Sequence, residues 1–268
     1  MRWEATIGDW TYHAGSFGDL SGDGVPDVAL GDYSAILWAL DGATGEVLWS
    51  SNLQGETYIF GPTAMGDLDG DGALEVVVTG SQAHVFDAAG APVRSWDLPG
   101  YCPRGPVLVD LDGDALPDVL TAVSGPVMAG WSGLDGSALF SEHLAGPADM
   151  DFHPVVWDLD GDLENEVFAV YGRGWSDPDP EANWGRAVAL HLGVVGKGWP
   201  TFSHDHHHSG NFEYPVGHLV NEPDTSEEEQ RCGCRTAGGG GAWLFALAAL
   251  GWRRKKGPPD DEPDRSSS

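Results

Sequence analysis

The sequence has little cysteine, few basic residues and no long uninterrupted apolar run. Its three cysteines do not describe a disulfide framework. Thirteen lysines and arginines stand against 42 aspartates and glutamates, for a formal charge of −29. Such a surface lacks the cationic footprint that nucleic-acid phosphates need, so we expect no nucleic-acid partner.

Recognisable catalytic motifs are also missing. The sequence contains no G-x-S-x-G, no H-E-x-x-H, no phosphate-binding loop and no dinucleotide fingerprint. Carboxylates are abundant, but most of the paired ones lie in metal-type loops, where they would be poor general acids. A neutral carboxyl group would need an apolar pocket away from those loops. We predict that the protein is not an enzyme.

What the sequence has in abundance is acid-rich loops that repeat. Four segments, here called the first to fourth acidic loops, carry side-chain oxygens at positions 1, 3, 5 and 9, and they start 48, 43 and 48 residues apart. The residues are Asp19, Ser21, Asp23 and Asp27; Asp67, Asp69, Asp71 and Glu75; Asp110, Asp112, Asp114 and Asp118; and Asp158, Asp160, Asp162 and Glu166. Repeats at such a period predict a stacked or radial array of units.

Each acidic loop offers the oxygen ligands that a hard divalent cation prefers. Calcium takes about six to eight oxygens, and the backbone carbonyl at position 7 would complete the set. The residues at position 7 are Val25, Ala73, Leu116 and Glu164. We predict about four calcium ions, one in each loop. The simpler alternative is a series of acidic turns that bind no metal, since Asp and Gly are ordinary turn residues.

The residues after each loop argue against an EF-hand or dockerin. In an EF-hand, helices flank the loop and position 12 is a glutamate. Position 12 is Leu30, Val78, Thr121 or Ala169 here, and the segments that follow the loops are short and rich in β-branched residues. Such runs predict buried strands. The 39 glycines and 12 tryptophans also fit many tight turns between short strands.

The segments GDLSGDGVPDVAL, GDLDGDGALEVVV, VDLDGDALPDVLT and WDLDGDLENEVFA resemble the FG-GAP or VCBS repeats of integrin α-subunit propellers and bacterial surface proteins. The resemblance implies an all-β fold, a β-propeller of four-stranded antiparallel blades in which a calcium loop joins the first two strands of a blade. We expect about four complete blades within residues 1–218. One departure concerns the turn geometry of the third and fourth loops: the glycine at position 6, Gly24 or Gly72, becomes Ala115 and Leu163.

Residues 1–9 resemble the outer strand of a blade, because RWEATI parallels EVLWSSNL, PVRSWDLPG and ALFSEHLAG before the later repeats. No basic region followed by an apolar run occurs there, as a signal peptide would require. We therefore expect that the N-terminal part of the propeller is missing, together with an export signal. The alternative is a complete chain whose first strand closes the ring.

Two stretches outside the loops are candidate binding regions. The insertion GRGWSDPDPEANW interrupts the fourth repeat, and its Trp175 and Trp184 could contact a ligand or pack on the propeller rim. The cluster from His204 to His208 could hold zinc or nickel. Adjacent histidines on one loop seldom point to a single centre, however, and this segment also resembles the closing stretch of bacterial propellers.

The C-terminal part follows a different pattern. Residues 219–231 predict an acidic disordered linker, and 257–268 a disordered tail. Residues 232–256 contain Cys232 and Cys234, an apolar segment predicted as a short helix, and a basic cluster. This order resembles MYXO-CTERM sorting signals, which implies processing at one of the two cysteines and export to the bacterial cell surface or outer membrane. The alternative is a membrane anchor, although its helix would reach only ~24 Å across a ~30 Å core.

These patterns together predict a non-catalytic calcium-binding β-propeller that acts in adhesion or in binding a protein or glycan. The alternative is a calcium-dependent lyase or hydrolase that acts on polysaccharides and is built on the same propeller. Segments such as ALDGATGEVLW and SGLDGSALF resemble motifs that hold blades together in quinone-type propellers and are not themselves catalytic.

Overall fold

The computed structural model describes residues 2–144, 153–162, 164–173 and 183–191, all within one compact unit, Met1–Pro223. Fifteen strands cover these ranges: β1 (Ser16–Gly18), β2 (Asp27–Gly31), β3 (Ile36–Leu40), β4 (Val47–Asn52), β5 (Ala64–Gly66), β6 (Glu75–Thr79), β7 (Gln82–Phe86), β8 (Pro92–Asp97), β9 (Val107–Val109), β10 (Asp118–Val123), β11 (Val127–Trp131), β12 (Ala138–His143), β13 (Val155–Trp157), β14 (Glu166–Arg173) and β15 (Trp184–His191). Among these residues no helix has the length and apolar character needed to cross a lipid bilayer.

The strands form four antiparallel sheets of consecutive strands, β1–β4, β5–β8, β9–β12 and β13–β15, here called blades 1 to 4. In blades 2 and 3 the second strand is buried along its whole length, as in β6 and β10, which suits its β-branched sequence. The fourth strands β4 and β8 alternate between half-buried and exposed residues, as edge strands do. Burial therefore falls from the inner to the outer strands of a blade.

The first strands of neighbouring blades lie beside one another. Strand β1 contacts β5, and β5 contacts β9. The hydroxyl oxygens of Ser16 and Thr63 are 2.6 Å apart, and Thr63 Oγ1 donates to the Ala29 carbonyl at 2.9 Å, so blade 2 is hydrogen-bonded to blade 1. First strands inside and fourth strands outside give the radial arrangement of a β-propeller. The predicted all-β fold of propeller blades is confirmed.

The hydrophobic core lies between the blades. One cluster joins blades 1 and 2 to residues of blade 3, with Leu37, Leu68 and Leu108 fully buried in it. A second cluster joins blades 3 and 4 and includes Leu120 and Val167. Each such side chain stabilises the fold by about 1.5–3 kcal/mol relative to an exposed one. Adjacent blades therefore depend on each other for burial.

A contact with the turn of the next blade recurs at a separation of 39 residues. Trp3 Nε1 donates to the Gly42 carbonyl and Trp49 Nε1 to the Ala88 carbonyl, both at 2.9 Å. Arg94 makes the corresponding hydrogen bond to the Gly133 carbonyl. Trp3 thus occupies at blade 1 the place that Trp49 of β4 occupies at blade 2, which agrees with the outer-strand interpretation of residues 1–9. Residues 2–9 still form no strand, because none of the described strands pairs with them.

One predicted segment differs in extent. The insertion in blade 4 is shorter than 172–184, since β14 runs to Arg173 and pairs there with Trp184 of β15. Blade 4 has three strands among the described residues. The predictions for Leu163, Trp175, the His204 cluster, 219–231, Cys232, Cys234 and 257–268 lie outside them.

The meander gives the propeller two distinct ends. The loop between first and second strands and the turn between third and fourth strands lie at one end of each blade, here called the loop face. The turn between second and third strands and the connection to the next blade lie at the opposite face. All four acidic loops are therefore on the loop face.

Candidate metal centres

Each acidic loop joins the first and second strands of its blade, as predicted. The second loop turns through Gly70 (φ 78°) and Gly72 (φ 90°), a left-handed conformation that glycine adopts without strain. In the third loop Ala115 adopts the same conformation with φ 71°. The replacement of glycine by alanine at position 6 therefore leaves the turn intact there.

The carboxylate of the aspartate at position 1 accepts hydrogen bonds from backbone N–H groups of its own loop. Asp67 accepts hydrogen bonds from the backbone N–H groups of Gly70 (2.8 Å) and Gly72 (3.1 Å). Asp110 does the same with Gly113 (2.6 Å) and Ala115 (3.0 Å). Both oxygens of these carboxylates are engaged by the loop that they hold.

The aspartates at positions 3 and 5 keep one oxygen available. Asp69 Oδ1 accepts from the N–H of Asp71 at 3.2 Å, and Asp71 Oδ1 accepts from that of Ala73 at 2.7 Å. Asp112 and Asp114 make the same bonds in the third loop. The second oxygen of each of these carboxylates has no donor among the described residues, so it can face a cation.

The acid at position 9 is buried and closes the loop. Glu75 and Asp118 are 3% and 1% exposed, and each begins the second strand of its blade. Their carboxylates accept at 2.7 Å from the N–H groups of Leu68 and Leu111, at position 2 of the same loop. The same bond runs from Leu159 to Glu166 at 2.8 Å.

Three of the four loops gather acids at distances that suit one ion. In each group the nearest oxygens all lie within 4.8 Å of one another. Calcium–oxygen distances near 2.4 Å place opposite ligands about that far apart, so the donor sets fit calcium. The groups are Asp67, Asp69 and Asp71; Asp110, Asp112 and Asp118; and Asp158, Asp160 and Glu166. Among the described residues the first loop forms no such group of three acids, and it has Ser21 at position 3.

The fourth loop has a partner that sequence reasoning missed. His191 Nε2 lies 2.7 Å from Glu164 Oε2, and its Nδ1 lies 2.9 Å from Glu166 Oε1. The hydrogen bond to Glu166 and the nearby carboxylates of Glu164 and Asp162 raise the pKa of His191. Strand pairing opposes Glu166 to His191 in register, a signal that the loop motif alone does not contain. Only the backbone of Glu164 was expected to face an ion.

Burial and crowding raise the pKa of two position-9 acids. The pKa of Glu75 rises to about 7, mainly through burial, with smaller contributions from Asp69, Asp67 and Asp71, while the Leu68 N–H lowers it. The pKa of Asp118 rises to about 6 through burial and the nearby Asp112 and Asp114, while two backbone N–H groups lower it. A cation bound in either loop would displace a proton near neutral pH.

Two residues outside the acidic loops, Trp184 and Cys102, pack against or inside the core. Trp184 packs edge-to-face on Tyr171 with ring centroids 5.8 Å apart and borders the core cluster of blades 3 and 4. This position supports the rim-packing alternative for Trp184. Cys102 is fully buried, and burial raises the pKa of its thiol.

The comparisons with known proteins agree with the repeat and add nothing about function. A family model described as FG-GAP-like repeat matches residues 19–78, from the first acidic loop to β6. No curated protein sequence matches the chain.

Several solved structures are similar in their backbone. BamB from Moraxella catarrhalis is 18% identical with a TM-score of 0.45, covering 73% of this chain and 54% of its own. BBS1N, in a complex with ARL6DN, is 12% identical with a TM-score of 0.47, at 71% and 53% coverage. Sqt1 from Saccharomyces cerevisiae is 11% identical with a TM-score of 0.45, at 65% and 43%. The chain spans about half the length of these structures, and no functional conclusion follows from them.

Proposed function

We propose that this chain is a calcium-stabilised, non-catalytic β-propeller that binds a protein or glycan at the bacterial cell surface. The observation that carries the proposal is the grouping of carboxylate oxygens in the second, third and fourth acidic loops. Free second oxygens at positions 3 and 5 support a resident cation. The buried acids at position 9 would place its charge against the first turn of each blade.

Charge balance supports the same proposal. Fifteen of the 42 acidic residues occupy positions 1, 3, 5 and 9 of the four loops, and the chain carries −29. Such self-repulsion destabilises a compact state, and bound divalent ions relieve it. Calcium would therefore contribute to folding as well as to loop geometry.

The surface location rests on the sequence of the C-terminal part. Cysteine, apolar segment and basic cluster at 232–256 resemble a MYXO-CTERM sorting signal, with Cys232 or Cys234 as the processing position. This segment would hold the chain at the membrane until it is processed. If no processing occurs, it would hold the chain there permanently. A calcium-dependent fold suits an exported protein, because calcium is plentiful outside the cell.

Thermal unfolding with and without calcium tests the proposal. A site held at one hundred times its Kd stabilises the fold by about 2.7 kcal/mol, which for a chain of this length is on the order of 5–10 °C. We expect the midpoint to fall by at least that much when EDTA replaces millimolar calcium. An unchanged midpoint would overturn the calcium proposal.

A matched pair of variants distinguishes calcium binding in the loops from a general effect of surface charge. Asp71→Asn removes a ligand in the second loop, and Glu46→Gln removes one charge from an exposed side chain outside the loops. We expect Asp71→Asn to shrink the calcium-induced shift and Glu46→Gln to leave it unchanged. Equal effects would mean that calcium only screens the surface.

A further inference from the structure

The face opposite the acidic loops carries a continuous set of aromatic side chains. They come from the segments that lead into the first strands and from the β2–β3 turn, which the meander brings to one end. We call this set the aromatic platform; it consists of Trp10, Tyr12, Tyr33, Tyr58 and Phe60.

The platform is stacked and therefore held in place. Trp10 stacks on Tyr33 with centroids 4.5 Å apart, and Tyr33 stacks on Tyr58 at 5.0 Å. Tyr12 stacks on Phe60 at 4.1 Å. The Tyr33 N–H also donates to the Trp10 carbonyl at 3.0 Å, which ties the leading segment to the turn. Rings fixed in this way lose little freedom when a ligand binds.

Two of the rings face solvent. Trp10 is 56% exposed and Tyr12 is 50% exposed. Neither the Trp10 indole N–H nor the Tyr12 hydroxyl has a hydrogen-bonding partner among the described residues. Polar atoms lie at the edge of the platform as well, where Ser34 Oγ donates to Asp9 Oδ2 at 3.0 Å. The surface thus combines apolar ring faces with hydrogen-bonding groups at their rims.

This combination matches the chemistry of a sugar ring. A pyranose has an apolar face of C–H bonds, which an aromatic ring can cover, and a rim of hydroxyls that both donate and accept hydrogen bonds. Small-ligand sites commonly combine aromatic walls with a few placed polar groups. The Asp9 carboxylate, which lies at the edge of the platform beside Trp10, disfavours acidic sugars there, so a neutral glycan fits best.

The exposed area argues against a protein as the occupant. A ring of this kind buries roughly 150–250 Å², so the exposed halves of Trp10 and Tyr12 offer about 200 Å² together. A stable protein interface buries about 800 Å² on each partner. The exposed parts of these two rings therefore match one or two sugar units.

We propose that the aromatic platform binds a neutral glycan, with Trp10 and Tyr12 stacking on its sugar rings. The inference names the ligand class of the binding function proposed above and rests on it. It places that ligand on the face opposite the acidic loops.

The test is a binding measurement on the whole chain in calcium. Isothermal titration and saturation-transfer NMR would be run with cellohexaose, laminarihexaose, chitohexaose and mannohexaose as probes. We expect at least one to bind, and Trp10→Ala and Tyr12→Ala to weaken its binding on the order of tenfold. Trp10→Phe keeps an aromatic face and is expected to lose less. Phe168→Ala changes an exposed aromatic residue on β14 and should bind as the wild type does.

The outcomes are distinguishable from those of the calcium test. Absence of binding to all four probes, with the calcium-induced melting shift intact, would overturn the glycan inference alone. Binding that survives Trp10→Ala and Tyr12→Ala, in variants that melt as the wild type does, would also overturn it. An unchanged midpoint in EDTA together with Trp10-dependent glycan binding would overturn the calcium proposal and keep this one.

Discussion

In blade 3 the carboxylate of Asp118 accepts hydrogen bonds from two turns, whereas in blade 2 the carboxylate of Glu75 accepts from one. Asp118 is bonded by the N–H of Leu111 in its own loop, at 2.7 Å, and by that of Gly133 in the β11–β12 turn, at 3.0 Å. Glu75 is bonded by Leu68 in its own loop, at 2.7 Å. Its second oxygen has no donor among the described residues.

The residues around these acids differ in a matching way. In blade 3 Pro117 precedes Asp118, and a Cβ on Gly133 would overlap the Pro117 carbonyl oxygen. Blade 1 repeats this arrangement, with Gly42 donating to Asp27 at 3.0 Å and too close to a proline carbonyl for a side chain. In blade 2 the sequence is Leu-Glu, and the turn has Ala88 at the corresponding place.

The same acidic-loop motif is therefore closed by two different hydrogen-bond arrangements at position 9. With aspartate at position 9, the backbone of a second turn satisfies the carboxylate and joins the loop to the third and fourth strands. In the second loop the longer glutamate side chain leaves one oxygen of Glu75 without a donor, whereas in the fourth loop the second oxygen of Glu166 contacts His191. We therefore expect the aspartate loops to keep their shape without calcium and the second loop to depend on it.

The largest effect is expected from Gly133→Ala. The new methyl group would collide with the Pro117 carbonyl, separate the two turns and remove the hydrogen bond to Asp118. Overpacking of this kind costs about 1–3 kcal/mol, and an unsatisfied buried carboxylate oxygen adds to it. Urea denaturation in EDTA would measure the loss.

The matched control is Ala88→Gly in blade 2. This change removes a methyl group from a turn that already accepts one, so it should cost no more than about 1 kcal/mol. Similar costs for Gly133→Ala and Ala88→Gly would contradict the distinction between the two ways of closing the loop.

The fold and the loops could be predicted from the sequence because their information is local. The four-residue ligand pattern and the apolar run after it fix where each second strand starts, as at Glu75 and Asp118. The contacts that close the loops are not local: Gly133 reaches Asp118 and His191 reaches Glu166 only through strand pairing. The same holds for Trp10 and Tyr33, which share a platform because a meander folds 23 residues back on themselves.

A smaller effect is expected from pH in protein freed of divalent cations on a chelating resin. Both folded pKa values, about 7 for Glu75 and about 6 for Asp118, are raised above the ordinary values of 4.5 and 3.8. The folded state therefore binds protons more tightly than the unfolded state. The stability that each acid contributes is complete below its ordinary pKa and is lost as pH rises through the folded value. The melting midpoint should fall between pH 5 and 7.5.

Glu75→Gln and Asp118→Asn divide this pH dependence between the two loops. The fall above pH 6 should become smaller in Glu75→Gln, because the part that belongs to Glu75 is removed and the part that belongs to His191 remains. Asp118→Asn should keep the fall of the midpoint above pH 6 and lose the fall below pH 6. A midpoint that rises with pH in all three proteins would contradict the assigned shifts.

The smallest effect is expected at position 6 of the third loop. Ala115 has a φ of 71°, a conformation that destabilises a residue with a side chain by about 1–2 kcal/mol. Glycine would remove this strain, but it would lose roughly 0.5–1 kcal/mol more in chain entropy on folding. Ala115→Gly should therefore stabilise the protein by about 0.5 kcal/mol in urea denaturation, whereas Gly72→Ala in the second loop should destabilise it by a similar amount. Because Gly72 has open space where a methyl group would stand, the cost there comes from the backbone alone. If Ala115→Gly proved destabilising, the Ala115 methyl group would have to pack in the third loop, and the two loops would differ at position 6 as well as at position 9.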